Sequence, residues 1–221
     1  MNKKFYIFII ISAVIASIFL IWPQIDIKIT GLFYNNASGF YLDEHPVLQF
    51  LHKSVRYITI TLSLLWIGLL VLSYISRKEF FGLTKRKLAY LILALAIGPG
   101  LVVNTIFKDQ WGRARPHHTE VFGGEKQFTP PFIMSDQCDR NCSFVSGDPS
   151  VGFYFFALAF AIPAYRKLFL TSAMTLGLIF GATRIIQGAH FTSDVIFSGV
   201  FTFSVCYLLY LFMFRDKTEE K

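Results

Sequence analysis

Long apolar runs dominate this sequence and leave it few ways to fold. They lie at about 5–22, 57–76, 88–107, 148–164, 168–187 and 193–213. A run of about 20 apolar residues matches the hydrocarbon thickness of a bilayer. Within lipid each backbone N–H and C=O must be satisfied inside the segment, so such runs form helices. Only 16% of the residues are charged, and they gather between the runs. The pattern predicts an all-α, polytopic membrane protein of six transmembrane helices. No linker, repeat or low-complexity tract divides it, so one domain over 1–221 is expected. The fourth run is the weakest, being short and interrupted near its end by Pro163. In the third, Gly98-Pro99-Gly100 predicts a bend. The first run follows Lys3 and Lys4 and continues to Trp22 without a clear cleavage site. It is read as a retained helix rather than a signal peptide.

The formal charge is +7, which in a soluble chain would suggest nucleic acid. Here the placement of the charge argues against that class, and no nucleic-acid partner is expected. Lys3, Lys4, Arg77, Lys78, Lys85, Arg86, Lys87, Arg166, Lys167, Arg215, Lys217 and Lys221 fall on one side of six crossings. That is twelve of the 21 basic residues, and basic short loops mark the cytoplasmic side. The loops 23–56, 108–147 and 188–192 then face away from the cytoplasm.

Three groups of polar residues meet at that outer face. Lys108 and Arg115-Pro116 leave the third run, Ser146-Gly147-Asp148 enter the fourth, and Arg184, His190 and Asp194 join the fifth to the sixth. An arginine inside an apolar run is expensive, which makes Arg184 a functional candidate beside the snorkelling alternative. Guanidinium forks and a lysine ammonium suit phosphate oxygens. His190 and Asp194 are four apart, as in a carboxylate-oriented imidazole nucleophile, although Asp194 also suits a helix cap. Asp148-Pro149 is a good helix start, and the amides of Ser146 and Gly147 are placed to hold phosphate oxygens. Asp148 thus has two readings, cap and proton donor. Arg113 reads equally as a spare cation or a headgroup contact.

Cys138 and Cys142 share the outer loop, where a disulfide is favoured over paired thiols. Zinc is disfavoured there, with no histidine nearby. Cys206 reads as packing. His117 and His118 read equally as substrate contacts or solvent-exposed side chains. The 25 Phe and 10 Tyr are expected mostly toward lipid and the interfaces.

Lys108-x6-Arg115-Pro116, Ser146-Gly147 and Arg184-x5-His190-x3-Asp194 resemble the three signatures of the type 2 phosphatidic acid phosphatases (PAP2), over about residues 88–210. Two positions depart from that pattern. Thr183 stands where the family has Ser, and Asp148 stands where it has the His that usually protonates the leaving group. Gly98-Pro99-Gly100-Leu101-Val102-Val103-Asn104, Phe107-Lys108-Asp109, Gln137-Cys138-Asp139 and Asn141-Cys142-Ser143-Phe144-Val145 are similar to the bacterial lipid A 4′-phosphatases of that superfamily. The resemblance implies a metal-independent, cofactor-free phosphatase in the inner membrane of a Gram-negative cell, acting at the periplasmic face on the 4′-phosphate of lipid A. In that reading Lys108, Arg115 and Arg184 hold phosphate with Ser146 and Gly147. His190 forms a phosphohistidine, Asp194 orients it, and Asp148 is a conditional acid. The rivals are a phosphatase for undecaprenyl diphosphate or phosphatidylglycerophosphate, and a non-catalytic lipid transporter or scaffold.

Overall fold

The apolar runs become helices, and the polar segments between them close over one end of the bundle. The computed structural model describes residues 3–214. Arg215, Lys217 and Lys221, used above to orient the chain, lie outside them. Helix α1 (Lys3–Ile21) is followed by the short α2 (Gln24–Gly31). A two-stranded antiparallel hairpin, β1 (Tyr34–Asn35) and β2 (Gly39–Phe40), precedes α3 (Pro46–Ser76). Then come α4 (Lys85–Gln110), a loop over 111–146, α5 (Gly147–Phe153), α6 (Phe155–Ala161), α7 (Arg166–Ile186) and α8 (Thr192–Phe214).

Among the described residues, five helices are long and apolar enough to cross a membrane: α1, α3, α4, α7 with the turn that leads into it, and α8. The run expected at 148–164 takes another form. It is the pair α5–α6, interrupted at Tyr154, and at 1.5 Å per residue its fifteen positions span about 22 Å. Phe153, Tyr154, Ala157, Leu158 and Ala161 are all buried, and the pair is the centre around which the long helices stand. Tyr154 Oη donates to the Leu91 carbonyl at 2.9 Å, and Tyr90 Oη to that of Cys206 at 2.9 Å. These bonds satisfy polar groups that hydrocarbon would strand.

Helix α3 begins eleven residues before the apolar run that predicted it. His45 caps it by accepting from the Val47 amide, and Pro46 occupies the first turn, where its missing N–H is harmless. This extra length carries His52 to the polar end of the bundle. In α4 the expected bend appears as a widened, π-type stretch over Ala96–Phe107. Pro99 cannot donate to the ladder, and a π segment is one way a helix absorbs that loss. Asn104 Nδ2 donates to the Pro99 carbonyl at 2.7 Å and Thr105 Oγ1 to that of Gly100 at 3.2 Å.

Glycine sets the closeness of α5 and α7. A Cβ on Gly152 would strike the backbone of Gly177, and one on Gly177 would strike the Phe153 ring. Small residues let membrane helices touch backbone to backbone, and here the approach draws Asp148 toward Arg184. The aromatic residues are less lipid-facing than expected. Phe107, Trp111, Phe132, Phe144, Phe197 and Phe201 pack on one another, with centroids as close as 4.4 Å for Phe107 and Phe201. That cluster fastens the 111–146 loop to α4 and α8.

Candidate active site

The loop that ends α7 makes the histidine. Gly188 has φ +65°, and a side chain there would run into the Phe40 ring. Only glycine suits this turn. The amides of Ala189 and His190 both reach the Arg184 carbonyl, at 3.0 and 3.3 Å, and the His117 amide donates to the Gly188 carbonyl at 3.0 Å. His190 is 2% exposed. Its Nδ1 lies 2.7 Å from the Ser143 carbonyl. A carbonyl only accepts, so Nδ1 carries the proton and Nε2 keeps its lone pair. Burial pushes the imidazole down to about 3; Asp194 opposes the shift, and Arg115 and Lys108 add to it. The ring is therefore neutral near pH 7.

Asp194 stands 3.6 Å from His190 Nδ1, but its shortest contacts are elsewhere. Oδ1 accepts from Arg113 at 2.5 Å, and Oδ2 from Ser143 Oγ at 2.5 Å and the Phe191 amide at 2.8 Å. Asp194 thus places Ser143, whose carbonyl in turn places His190. Asp194 is the third residue of α8 and reaches back to the Phe191 amide, so it closes the helix start from within instead of serving as the N-cap expected, and the same carboxylate orients the ring through Ser143.

Arg113 is neither a spare cation nor a headgroup contact. It is wholly buried between Asp26 of α2 and Asp194, at 2.9 and 2.5 Å. Nε donates to the Thr129 carbonyl at 2.8 Å and Nη1 to Ser193 Oγ at 2.9 Å. Its guanidinium lies 4.4 Å from the Phe191 ring centre. Asp26 also accepts from the Ser193 amide and hydroxyl, at 2.8 and 2.5 Å. Burial raises its pKa, with Asp194 adding to the rise and Arg113 opposing it. No sequence spacing links Asp26 to Arg113 or Asp194; only the folded chain pairs them.

The other cations are gathered but sparsely paired. Lys108, Arg115 and Arg184 lie close enough to repel one another. Burial first, and Arg184 next, depress the pKa of Arg115. Arg115 Nε donates to the Asn141 carbonyl at 3.0 Å. Arg184 Nη1 donates to Gln187 Oε1 at 2.6 Å, and Nε lies 3.4 Å from Asp148 Oδ2. Gln187 is held by the Asp43 carbonyl at 3.0 Å. Lys108 Nζ and Asn104 crowd the space beside Gly147 so closely that a Cβ would not fit.

Ser146 divides the amide expectation. Its own amide is used on the Asp194 carbonyl at 3.2 Å, so it is not left for phosphate. Its hydroxyl is buried with no hydrogen-bond partner. Asp148 Oδ2 accepts from His52 Nδ1 at 2.6 Å, a contact the sequence did not suggest because residues 23–56 read as loop. Cys138 and Cys142 are joined as expected. The ring they close presents the Asn141 carbonyl to Arg115, and the Cys142 amide donates to the Lys108 carbonyl at 2.9 Å. Cys206 is buried packing, as expected. His117 and His118 are solvent-exposed and edge-on to each other. No cluster of His, Cys, Asp and Glu suited to a metal occurs among the described residues. A groove of about 480 Å³ runs from Asp148, Gly147 and Asn104 down between α3 and α4 past Trp66 and Leu95.

Residues 87–218 match the PAP2 superfamily. The chain is 42% identical over 203 residues to a lipid A 4′-phosphatase of Francisella tularensis subsp. novicida (strain U112), covering 90% of each. It is 29% identical over 194 residues to a lipid A 4′-phosphatase of Rhizobium leguminosarum, covering 81% of this chain and 83% of that one. A lipid A 1-phosphatase of Rhizobium etli is 39% identical over 109 residues, which is 49% of this chain and 42% of its own length. No solved structure matches.

Proposed function

Because the chain belongs to the PAP2 superfamily, we propose that it removes the 4′-phosphate of lipid A through a phosphohistidine formed on His190. The observation that carries this reading is the His190 ring, neutral and fixed in one tautomer beside Lys108, Arg115 and Arg184. A proton held on Nδ1 leaves the Nε2 lone pair as the nucleophile. The cations hold the phosphate oxygens and stabilise the charge that spreads over them in the transition state. The partnerless hydroxyl of Ser146 gains an acceptor when phosphate enters. Gly147 gives the phosphate room beside Lys108. Asp194 fixes the ring through Ser143. Asp148, beside Arg184, organises protonation of the leaving sugar oxygen. Water then releases phosphate from His190. The step requires no metal or cofactor.

The 42% identity over 90% of both chains to a lipid A 4′-phosphatase supports the 4′ position. The reaction belongs at the periplasmic face of an inner membrane. The Cys138–Cys142 disulfide suits an oxidising compartment. Lys85 over the Tyr74 ring and Arg86 over Phe214 sit at the other end of the bundle, where a basic cytoplasmic rim is expected.

Mass spectrometry of lipid extracts from cells with and without the chain tests the substrate. Loss of one phosphate from the non-reducing sugar is expected; unchanged lipid A with altered isoprenoid phosphates would refute it. Labelled phosphoenzyme should be trapped in the wild type and absent in His190→Ala.

A further inference from the structure

The proposed reaction has a gap. A sugar hydroxyl is a poor leaving group and must receive a proton as its bond to phosphorus breaks. Asp148 is the nearest candidate by sequence, yet its Oδ2 is occupied twice, by His52 Nδ1 at 2.6 Å and by Arg184 Nε at 3.4 Å. A carboxylate held as the acceptor of one hydrogen bond and the partner of a guanidinium is set up to stay ionised.

His52 is differently placed. It sits on the early turns of α3, outside the family match at 87–218. Its side chain is 39% exposed and lines the mouth of the groove beside Asp148, Gly147 and Asn104. Nδ1 is committed to Asp148, which leaves Nε2 as the ring nitrogen free to meet a ligand. The charged groups facing it are Asp148 of α5, Arg184 of α7 and Asp43 ahead of α3, with Arg56 one turn further along its own helix.

We propose that His52, held by Asp148, is the proton donor to the leaving oxygen, so that a histidine–aspartate pair from two helices protonates the departing sugar. This rests on the phosphatase reading above. In the first step the His190 Nε2–phosphorus bond forms and the phosphorus–sugar oxygen bond breaks. The proton on His52 Nε2 moves to that oxygen, giving the free hydroxyl and neutral His52. In the second step water attacks the phosphohistidine and its proton returns to His52 Nε2. The phosphorus–nitrogen bond breaks, inorganic phosphate leaves, and both histidines regain their starting forms. Asp148 balances the imidazolium charge and aims the ring without itself transferring the proton.

The experiment compares His52→Gln and Asp148→Asn with wild type on two detergent-solubilised substrates, an alkyl or sugar phosphate and p-nitrophenyl phosphate. The aryl leaving group departs without a proton. His52→Gln is expected to lose about 100-fold or more in kcat/KM on the alkyl substrate, and less than about tenfold on the aryl one. It should also accumulate labelled phosphoenzyme from the aryl substrate, because the second step has lost its base. Asp148→Asn should show the same split. Equal losses on both substrates, or no loss in His52→Gln, would overturn the assignment. A His52→Gln protein that melts like wild type but loses both equally would make His52 a positioning residue only. A wild type inactive on every phosphomonoester would instead sink the phosphatase reading.

Discussion

Two sets of cations lie in this outer end of the chain, and they are used in opposite ways. Arg113 is wholly buried, with a carboxylate at each end of its fork and a carbonyl on Nε. Lys108, Arg115 and Arg184 crowd together, and among the described residues only Asp148 comes within ion-pair distance of them, 3.4 Å from Arg184 Nε. The first set is complete and joins α2, the 111–146 loop and α8. The second carries excess positive charge that an incoming phosphate dianion would neutralise. Four basic residues of similar type thus divide into scaffold and site by what faces them.

The largest expected effects test that division directly. Arg113→Met leaves Asp26 and Asp194 buried without their counter-charge, which costs about 3–5 kcal/mol. The variant should melt far below wild type, and its activity should fall because the protein unfolds. Arg184→Met should retain its melting temperature to within a few degrees and lose about 100- to 1,000-fold in kcat/KM. If the two variants show the same profile, the division fails.

Next in size is a pH effect on stability. The His190 pKa is pushed down to about 3 in the fold, against about 6.5 when unfolded. Between those values the unfolded chain binds a proton that the folded one refuses, so stability is full above about 6.5 and is lost as pH falls toward about 3. Thermal melting over that range should slope downward with acid. His190→Gln should flatten part of the slope. An unchanged slope would place the titration elsewhere.

Much of this was legible in the sequence. Hydropathy and basic loops placed Lys108, Arg115, Ser146, Arg184, His190 and Asp194 at one end, since each stands at the edge of an apolar run. What stayed hidden has a common cause. His52 lay in residues that read as loop, because Lys53 and Arg56 delay the start of the apolar run until after the helix has begun. Asp26 and Arg113 are joined across 87 positions. Ser143 acts on His190 through its carbonyl, which no side-chain pattern records. The interruption of the fourth run at Tyr154 was also hidden, because burial in a bundle and burial in lipid select the same side chains on either side of it.

The disulfide belongs to the site side of the comparison, and its effect should be smaller. Closing a ring of about five residues restricts the unfolded chain by about 2 kcal/mol. In the fold that ring also holds the Asn141 carbonyl on Arg115, and Ser143 follows it immediately. Cys138→Ser with Cys142→Ser should therefore melt lower and raise KM by about tenfold, an amount that one misplaced guanidinium contact accounts for. A lower melting point with KM unchanged would make the disulfide purely a staple.

Ser146 is the finest test. Its buried hydroxyl lacks a partner, and an unmet buried donor is destabilising. If it serves only the fold, removing it should matter only to the fold. If it waits for phosphate, Ser146→Ala should leave stability unchanged or raise it by up to about 1 kcal/mol, while weakening inhibition by vanadate or inorganic phosphate by about tenfold. Loss of one function with gain in the other is the signature of a group kept for its ligand. A variant that melts lower yet binds vanadate as wild type would move Ser146 to the scaffold beside Arg113.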